Sequence, residues 1–272
     1  MVVALTIGEA LPRRWFRRQR AVVESQKIRV GEGSYTLLTA RPDRHGRLDW
    51  QTIRQMAGRA AGRMLLPVGL QVPPGYGIGA FDGQLLGQEM MAITAVYLLR
   101  VIPSGRRTPV AIYDPEATMP QLACALLPYT SEVQVVSARP AQYAGQEEQA
   151  MREYGATFLI TGATAPLHRA TLVLAPDGMG GLQANTRGFV LSGVQETGRH
   201  VVGGYLPTIP AEWFAARPDG CDPWRFLCAM YEWGGLRGIL ARPPAALWSN
   251  GRWLRTRDAV CKLAGLDIGI SV

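Results

Sequence analysis

Lysine is almost missing from this chain: Lys27 and Lys262 are the only two, so arginine carries nearly all of the 29 basic side chains and the net charge of +8. A coding bias toward arginine would produce that excess without any functional demand. Cysteine is also sparse. Cys124, Cys221, Cys228 and Cys261 show no CxxC spacing and no neighbouring histidine, so neither a zinc site nor a dithiol redox pair is indicated, and they read as buried, reduced thiols. The three histidines lie in a polar turn (His45), a short link (His168) and the approach to a strand (His200), none at a spacing that suggests a catalytic pair. Long apolar runs are lacking too. The longest, MMAITAVYLL (90 to 99), is half of the roughly 20 residues needed to span a bilayer. At the N-terminus a short apolar run precedes the basic cluster, the reverse of a secretion signal, so a cytoplasmic protein is expected.

The charge is unevenly placed. Residues 1 to 30 hold seven basic side chains against Glu9 and Glu24, more than half of the net excess. Within them PRRWFRRQR (12 to 20) mixes arginines with two aromatics, a combination that suits a solvated helix face and also the grip of a nucleic acid or an anionic surface. With 47% hydrophobic and 18% charged residues in 272, the composition is that of a folded globular chain of one large or two modest domains. Two are expected: an N-terminal α+β domain over 1–105, and an α/β domain with C-terminal helical and hairpin elements over 106–272.

In the first part, KIRVGEGSYTLLTA (27 to 40) reads as a hairpin about Gly31-Glu32-Gly33. Asp49 caps a helix whose apolar positions are Trp50, Ile53, Met56, Ala57 and Ala60, ended at Gly62. MLLPVG (64 to 69) reads as a buried strand, and LLGQEMMAITAVYLLR (85 to 100) as a buried helix. Between them VPPGYGIGAFDG (72 to 83) invites comparison with a phosphate loop. Its glycines are spaced G-x-G-x-G after two prolines, however, which favours an irregular crossover.

The second part is more regular. VAIYD (110 to 114), VQVVS (133 to 137), TFLIT (157 to 161), TLVLA (171 to 175), FVLS (189 to 192) and VVGGYL (201 to 206) are short apolar runs without strict alternation, the mark of strands covered on both faces. Helical stretches follow the first two, DPEATMPQLACALLPY and ARPAQYAGQEEQAMREYG, and a short link, APLHRA, follows the third. Strand, helix, strand, helix, strand in this order predicts a Rossmann-like, doubly wound, mostly parallel sheet. Further on, Asp222 caps a helix bearing Trp224, Leu227, Cys228 and Tyr231, LWSNGRWL (247 to 254) is an Asn-Gly hairpin, and TRDAVCKLAG is a last helix.

Over about 70 residues, from VAIYD through TLVLAPDG, the chain resembles the NAD(P)-binding domains of the shikimate dehydrogenase and glutamyl-tRNA reductase sort. The resemblance implies a nucleotide above the carboxyl ends of the strands, with Ser137 and Arg139 over the adenosine ribose and an arginine there favouring a 2′-phosphate. One departure stands out. The first strand is followed by Tyr113-Asp114-Pro115-Glu116-Ala117-Thr118-Met119-Pro120, without a glycine. Two prolines remove amide donors, and Asp114 with Glu116 place negative charge where two phosphates would lie. At an intermediate dielectric, unit charges a few ångströms apart repel by about 4 kcal/mol.

Candidate binding residues are therefore the strand ends: Asp114, Ser137, Arg139, Thr161, Gly162 and Asp177. Asp114 has two readings, a ligand contact or a helix cap. No catalytic residue, metal or specific cofactor is indicated. Three functions remain open: a small-ligand or nucleotide binder without the ordinary loop, a scaffold with a degenerate cofactor site, and an anionic-partner binder acting through residues 12 to 20.

Overall fold

The computed structural model describes residues 1–10, 21–102, 107–182, 189–198, 200–236 and 242–263. The basic segment 12–20 and the expected helix stop at Gly265 lie outside the described residues. The chain divides into two compact units, Met1–Leu86 with Ile209–Leu240, and Gly87–Thr208 with Ala241–Val272. A single cut at 105/106 does not describe that division, because residues 209–240 group with the first unit.

The first unit is built on a three-stranded sheet in the order β1-β3-β2, formed by β1 (Val2–Ile7), β2 (Val22–Val30) and β3 (Gly33–Arg41). β2 and β3 are antiparallel about the expected Gly31-Glu32 turn, and β1 runs parallel to β3. Asp49 does cap α1 (Trp50–Ala57), its carboxylate accepting the Thr52 amide. Gly58 rather than Gly62 ends that helix, with a 3-10 segment following over Gly58–Arg63. Trp50, Ile53 and Ala57 turn inward onto Val3, Leu5, Leu38 and Ala40 as the spacing called for, and Ala60 joins them, but Met56, expected on the same face, is exposed.

The expected strand at 64–69 reduces to isolated bridges, Leu65 bonding to both sides of Ala4 through Val3 and Leu5. Pro67 lacks an amide and stops the ladder after two residues.

α2 (Leu85–Val101) is the buried apolar helix expected there. The second unit then lays down β4 (Val110–Tyr113), α3 (Gln121–Leu126), β5 (Val133–Val136), α4 (Ala144–Tyr154), β6 (Leu159–Thr161), α5 (Ala165–Arg169), β7 (Leu172–Ala175), β8 (Phe189–Ser192) and β9 (Val201–Leu206). α5 corrects one expectation: APLHRA is a short helix begun by Pro166, not a bare link. After β9 come α6 (Ala211–Ala215) and α7 (Pro223–Trp233), which belong to the first unit. The chain finishes in the second unit with β10 (Ala246–Ser249), β11 (Arg252–Arg255) and α8 (Thr256–Leu263).

The large sheet has the order β11-β10-β9-β8-β7-β4-β5-β6. β6, β5, β4, β7, β8 and β9 are parallel, while β10 and β11 are antiparallel additions beyond β9. Numbering the parallel strands by sequence gives 3-2-1-4-5-6, the doubly wound order whose direction of growth reverses between the first and fourth strands. This is a Rossmann-like α/β fold.

Both faces are buried in β4, β7 and β8, whereas β6 at the sheet edge, expected from TFLIT to be covered, has no buried residue. Ala111, Val173 and Val190 pack with Leu167 of α5 on one side, while Ile112, Leu174 and Leu191, one residue on, are fully buried on the other. That explains why these strands read as continuous apolar runs.

Candidate functional site

In a doubly wound sheet, ligands bind outside the carboxyl ends of the strands at the point where growth reverses, here the ends of β4 and β7. Parallel pairing brings Asp114, Ser137 and Thr161, each at or just past the end of its strand, onto this one edge. Asp177 follows β7, the other neighbour of β4. The six candidate residues therefore share an edge of the sheet. Their chemistry differs from residue to residue.

Asp114 is completely buried. Its Oδ1 accepts the Thr118 amide at 2.8 Å and the Thr118 hydroxyl at 3.0 Å, and its Oδ2 accepts the Met119 amide at 3.0 Å and the Tyr143 hydroxyl at 2.8 Å. Four donors surround one carboxylate, the arrangement that makes a buried anion tolerable. The Ala117 amide in turn donates to the Asp114 carbonyl. Of the four amides carried by residues 115 to 120, three are thus held inside the turn, and Pro115 and Pro120 have none to offer.

Asp114 was expected either to contact a ligand or to cap a helix. It caps the connecting turn instead, since α3 begins only after Pro120, with no side-chain cap of its own.

Tyr143 completes this cluster and was not singled out by its sequence context. It ends a 3-10 segment, Pro140–Tyr143, that leads into α4, and its ring is buried against Phe158 in an edge-on contact with centroids 6.3 Å apart. Burial pushes its phenol well above the ordinary value, and the hydrogen bond to Asp114 acts in the same direction. Nothing in a lone tyrosine one turn after a Ser-Ala-Arg-Pro stretch reports that its hydroxyl reaches back 29 residues to the preceding strand end.

The other candidates are also engaged. Ser137 is buried; its amide donates to the Thr161 carbonyl and its hydroxyl accepts the Arg139 amide at 3.1 Å. Thr161 folds its hydroxyl back to accept the Ala163 amide at 3.1 Å. Asp177 is exposed and accepts from the Gln88 side chain at 3.0 Å. Arg139 is exposed and its guanidinium pairs with Glu116 across the mouth of the turn. Gly162 stands in open space with no heavy atom near the position a Cβ would take.

The turn does not fit a pyrophosphate. A dinucleotide loop offers free amides to phosphate oxygens, and here the Thr118 and Met119 amides are held by an internal carboxylate and the Ala117 amide by the Asp114 carbonyl. Metal ligation fares no better, since no group of three or more His, Cys, Asp or Glu able to hold an ion occurs among the described residues. The PPGYGIGAFDG tract is irregular except for a single bridge at Ala80, as a crossover would be. Among the described residues no helix is long and apolar enough to cross a membrane.

No family model matches the chain, and a search of curated proteins finds no match. Among solved structures, L-tryptophan dehydrogenase from Nostoc punctiforme is similar at 13% identity over 85% of this chain and 75% of that chain, with a TM-score of 0.30. No residue role is taken from a likeness of that size, and the fold assignment rests on strand order.

Proposed function

We propose that the Rossmann-like unit serves as an interaction scaffold whose nucleotide turn has been closed by an internal anion. One observation carries this reading: the buried Asp114 carboxylate already takes the Thr118 and Met119 amides, two of the four amides that the turn could offer a phosphate. A phosphate entering the turn would have to displace a buried carboxylate and accept its charge as a neighbour, which at intermediate dielectric opposes binding by about 4 kcal/mol. Such a penalty removes about half of the roughly 8 kcal/mol of a micromolar affinity.

Thermal unfolding with NAD, NADP, adenine nucleotides, S-adenosylmethionine and sugar phosphates tests it. A ligand present at about 100 times its dissociation constant stabilises the native state by about 2.7 kcal/mol. The expected result is no shift with the dinucleotides. A saturable shift with NAD or NADP, abolished in Asp114→Ala, would place the pyrophosphate in this turn and overturn the proposal.

A second reading, a small anionic ligand taken at the same edge, is favoured by the exposed Arg139–Glu116 pair beside the open Gly162. A carboxylate or phosphate would replace Glu116 as the partner of Arg139. Its sign is a shift with one panel member that Arg139→Ala removes and Asp114→Asn leaves in place.

A further inference from the structure

The two sheets have four outer strands, and three of them are guarded. β1 gives its outer side to Leu65, whose amide donates to the Val3 carbonyl and whose carbonyl accepts the Leu5 amide. β2 carries Glu24, Lys27 and Arg29, and β11 carries Arg252 and Arg255, all exposed. Charged side chains of this kind keep an edge strand from pairing with another chain. β6 has no such guard. It ends the large sheet beside β5, and TFLIT (157 to 161) holds neither a charge nor a proline.

Register sets Leu159 on the face of Gln134 and Ala111, where α5 packs over β4 and β5; at the edge of that face Leu159 is left 60% exposed. Phe158 and Ile160 take the opposite face. There Phe158 meets Tyr143, at the entry to α4.

A two-fold axis normal to a sheet keeps each residue on the same face in both copies, so an antiparallel edge pair can match only residues an even number of positions apart. TFLIT meets that condition about its centre. Leu159 falls opposite Leu159, Phe158 opposite Ile160 and Thr157 opposite Thr161, so apolar meets apolar and hydroxyl meets hydroxyl at every position. The charges agree as well. The same axis keeps α4, the crossover from β5 to β6, on one face in both copies and sets the two helices antiparallel. Glu148 and Arg152 stand exposed one turn apart, so an antiparallel α4 brings each Glu148 alongside the other copy's Arg152, with the exposed Met151 between them. Within one copy Arg152 is held loosely, by Glu153 at 4.0 Å.

We propose that a second copy of this chain pairs with the first through β6, antiparallel about a two-fold axis at Leu159, so that two eight-stranded sheets become one. The occupant is a copy because the segment matches itself position by position. No donor of the Asp114 turn takes part, so the inference stands apart from whether that turn binds a ligand.

Sedimentation equilibrium of the full chain across a range of concentration tests it. A short strand edge with its flanking helix is a small interface, and a dimer with a dissociation constant of roughly 1–100 μM is expected. Leu159→Lys, which gives β6 the charge that β2 and β11 already have, should weaken the dimer about tenfold or more. Because Leu159 is exposed, the lysine leaves the single chain folded, and circular dichroism checks this. Register is read by cross-linking in a Cys261→Ser background, since the other three native thiols are buried. Mild oxidation should join Leu159→Cys to itself, because directly opposite Cβ atoms lie within about 5.5 Å, and should leave Ile160→Cys unlinked.

The proposal falls if the chain is monomeric at about 100 μM, the result an edge reserved for a different protein would give. It also falls if Leu159→Lys dimerises as the parent does, or if Leu159→Cys gives no cross-link.

Discussion

The six parallel strands of the large sheet and its antiparallel end are made from similar short segments and treat polar groups in opposite ways. In β4, β7 and β8 both faces are covered, so a charged side chain at a strand end has to find its partners inside the protein; Asp114 does so with four donors. In β10 alternate residues are buried and in β11 none is, and Trp253 and Arg255 stand exposed to water. A sheet covered on both faces pushes its chemistry to the strand ends, whereas one covered on a single face offers that face itself. Here the strand end is filled by the protein's own anion, so the more available surface lies at the two outer ends of the sheet, the antiparallel strands and β6.

Breaking the closed turn should have the largest effect. Asp114→Ala strands the buried Met119 amide and Tyr143 hydroxyl, and at about 1–3 kcal/mol for each unsatisfied donor the loss of stability in urea unfolding should be about 4 kcal/mol. A loss below about 1 kcal/mol would mean that water replaces the carboxylate freely and that the turn is open after all.

Tyr143→Phe is expected to be milder, about 1.5 kcal/mol, because the carboxylate keeps three donors. Its pH dependence carries a sign. The folded-state phenol titrates above the unfolded value near 10, so its contribution is complete below pH 10 and is lost as pH rises from there toward the folded value. The gap in stability between the parent and Tyr143→Phe should therefore narrow above pH 10. A gap that widens there would contradict the buried, neutral phenol.

At the antiparallel end the half-exposed Trp253 gives a comparable test. Trp253→Ala removes one edge-to-face contact with Trp248, about 0.5–1.5 kcal/mol, in addition to the burial of half an indole, and thermal unfolding should shift by about as much as for Tyr143→Phe. The smallest effect has the opposite sign. Ala117 sits in the left-handed region at φ 55° within the Asp114 turn. Relief of about 1–2 kcal/mol of strain by Ala117→Gly, set against about 0.5–1 kcal/mol of added chain entropy in the unfolded state, should stabilise the protein by about 0.5 kcal/mol. Destabilisation would show that the alanine methyl group packs against the turn.

Much of the architecture was legible in the sequence, and for a physical reason. Strands covered on both faces must be apolar throughout, so β4, β7 and β8 announce themselves as runs, and Asn250-Gly251 marks a turn that needs two left-handed residues. The placement of 209–240 was not legible. That Tyr35 donates to the Ala216 carbonyl and packs edge-on against Phe226 depends on long-range pairing that no local pattern encodes. At the strand ends, the missing glycines and the prolines correctly signalled a turn unlike a dinucleotide loop. The identity of the group that fills it did not follow, because Asp114 finds Tyr143 through tertiary geometry. That TFLIT lies at an open edge was hidden for a related reason: its place follows only from the order of the strands.

The first unit is split in sequence by the second, and this sets an order of assembly. β1, β2, β3 and α1 are synthesised early, yet the α7 segment that supplies Phe226, and whose cap carbonyl at Gly234 receives the Ser34 amide, leaves the ribosome more than a hundred residues later. Until then the nascent sheet keeps Tyr35 without its partners, and an isolated 1–105 fragment would carry that exposed apolar surface permanently. The intervening segment 87–208 therefore has to be synthesised before the first unit can close.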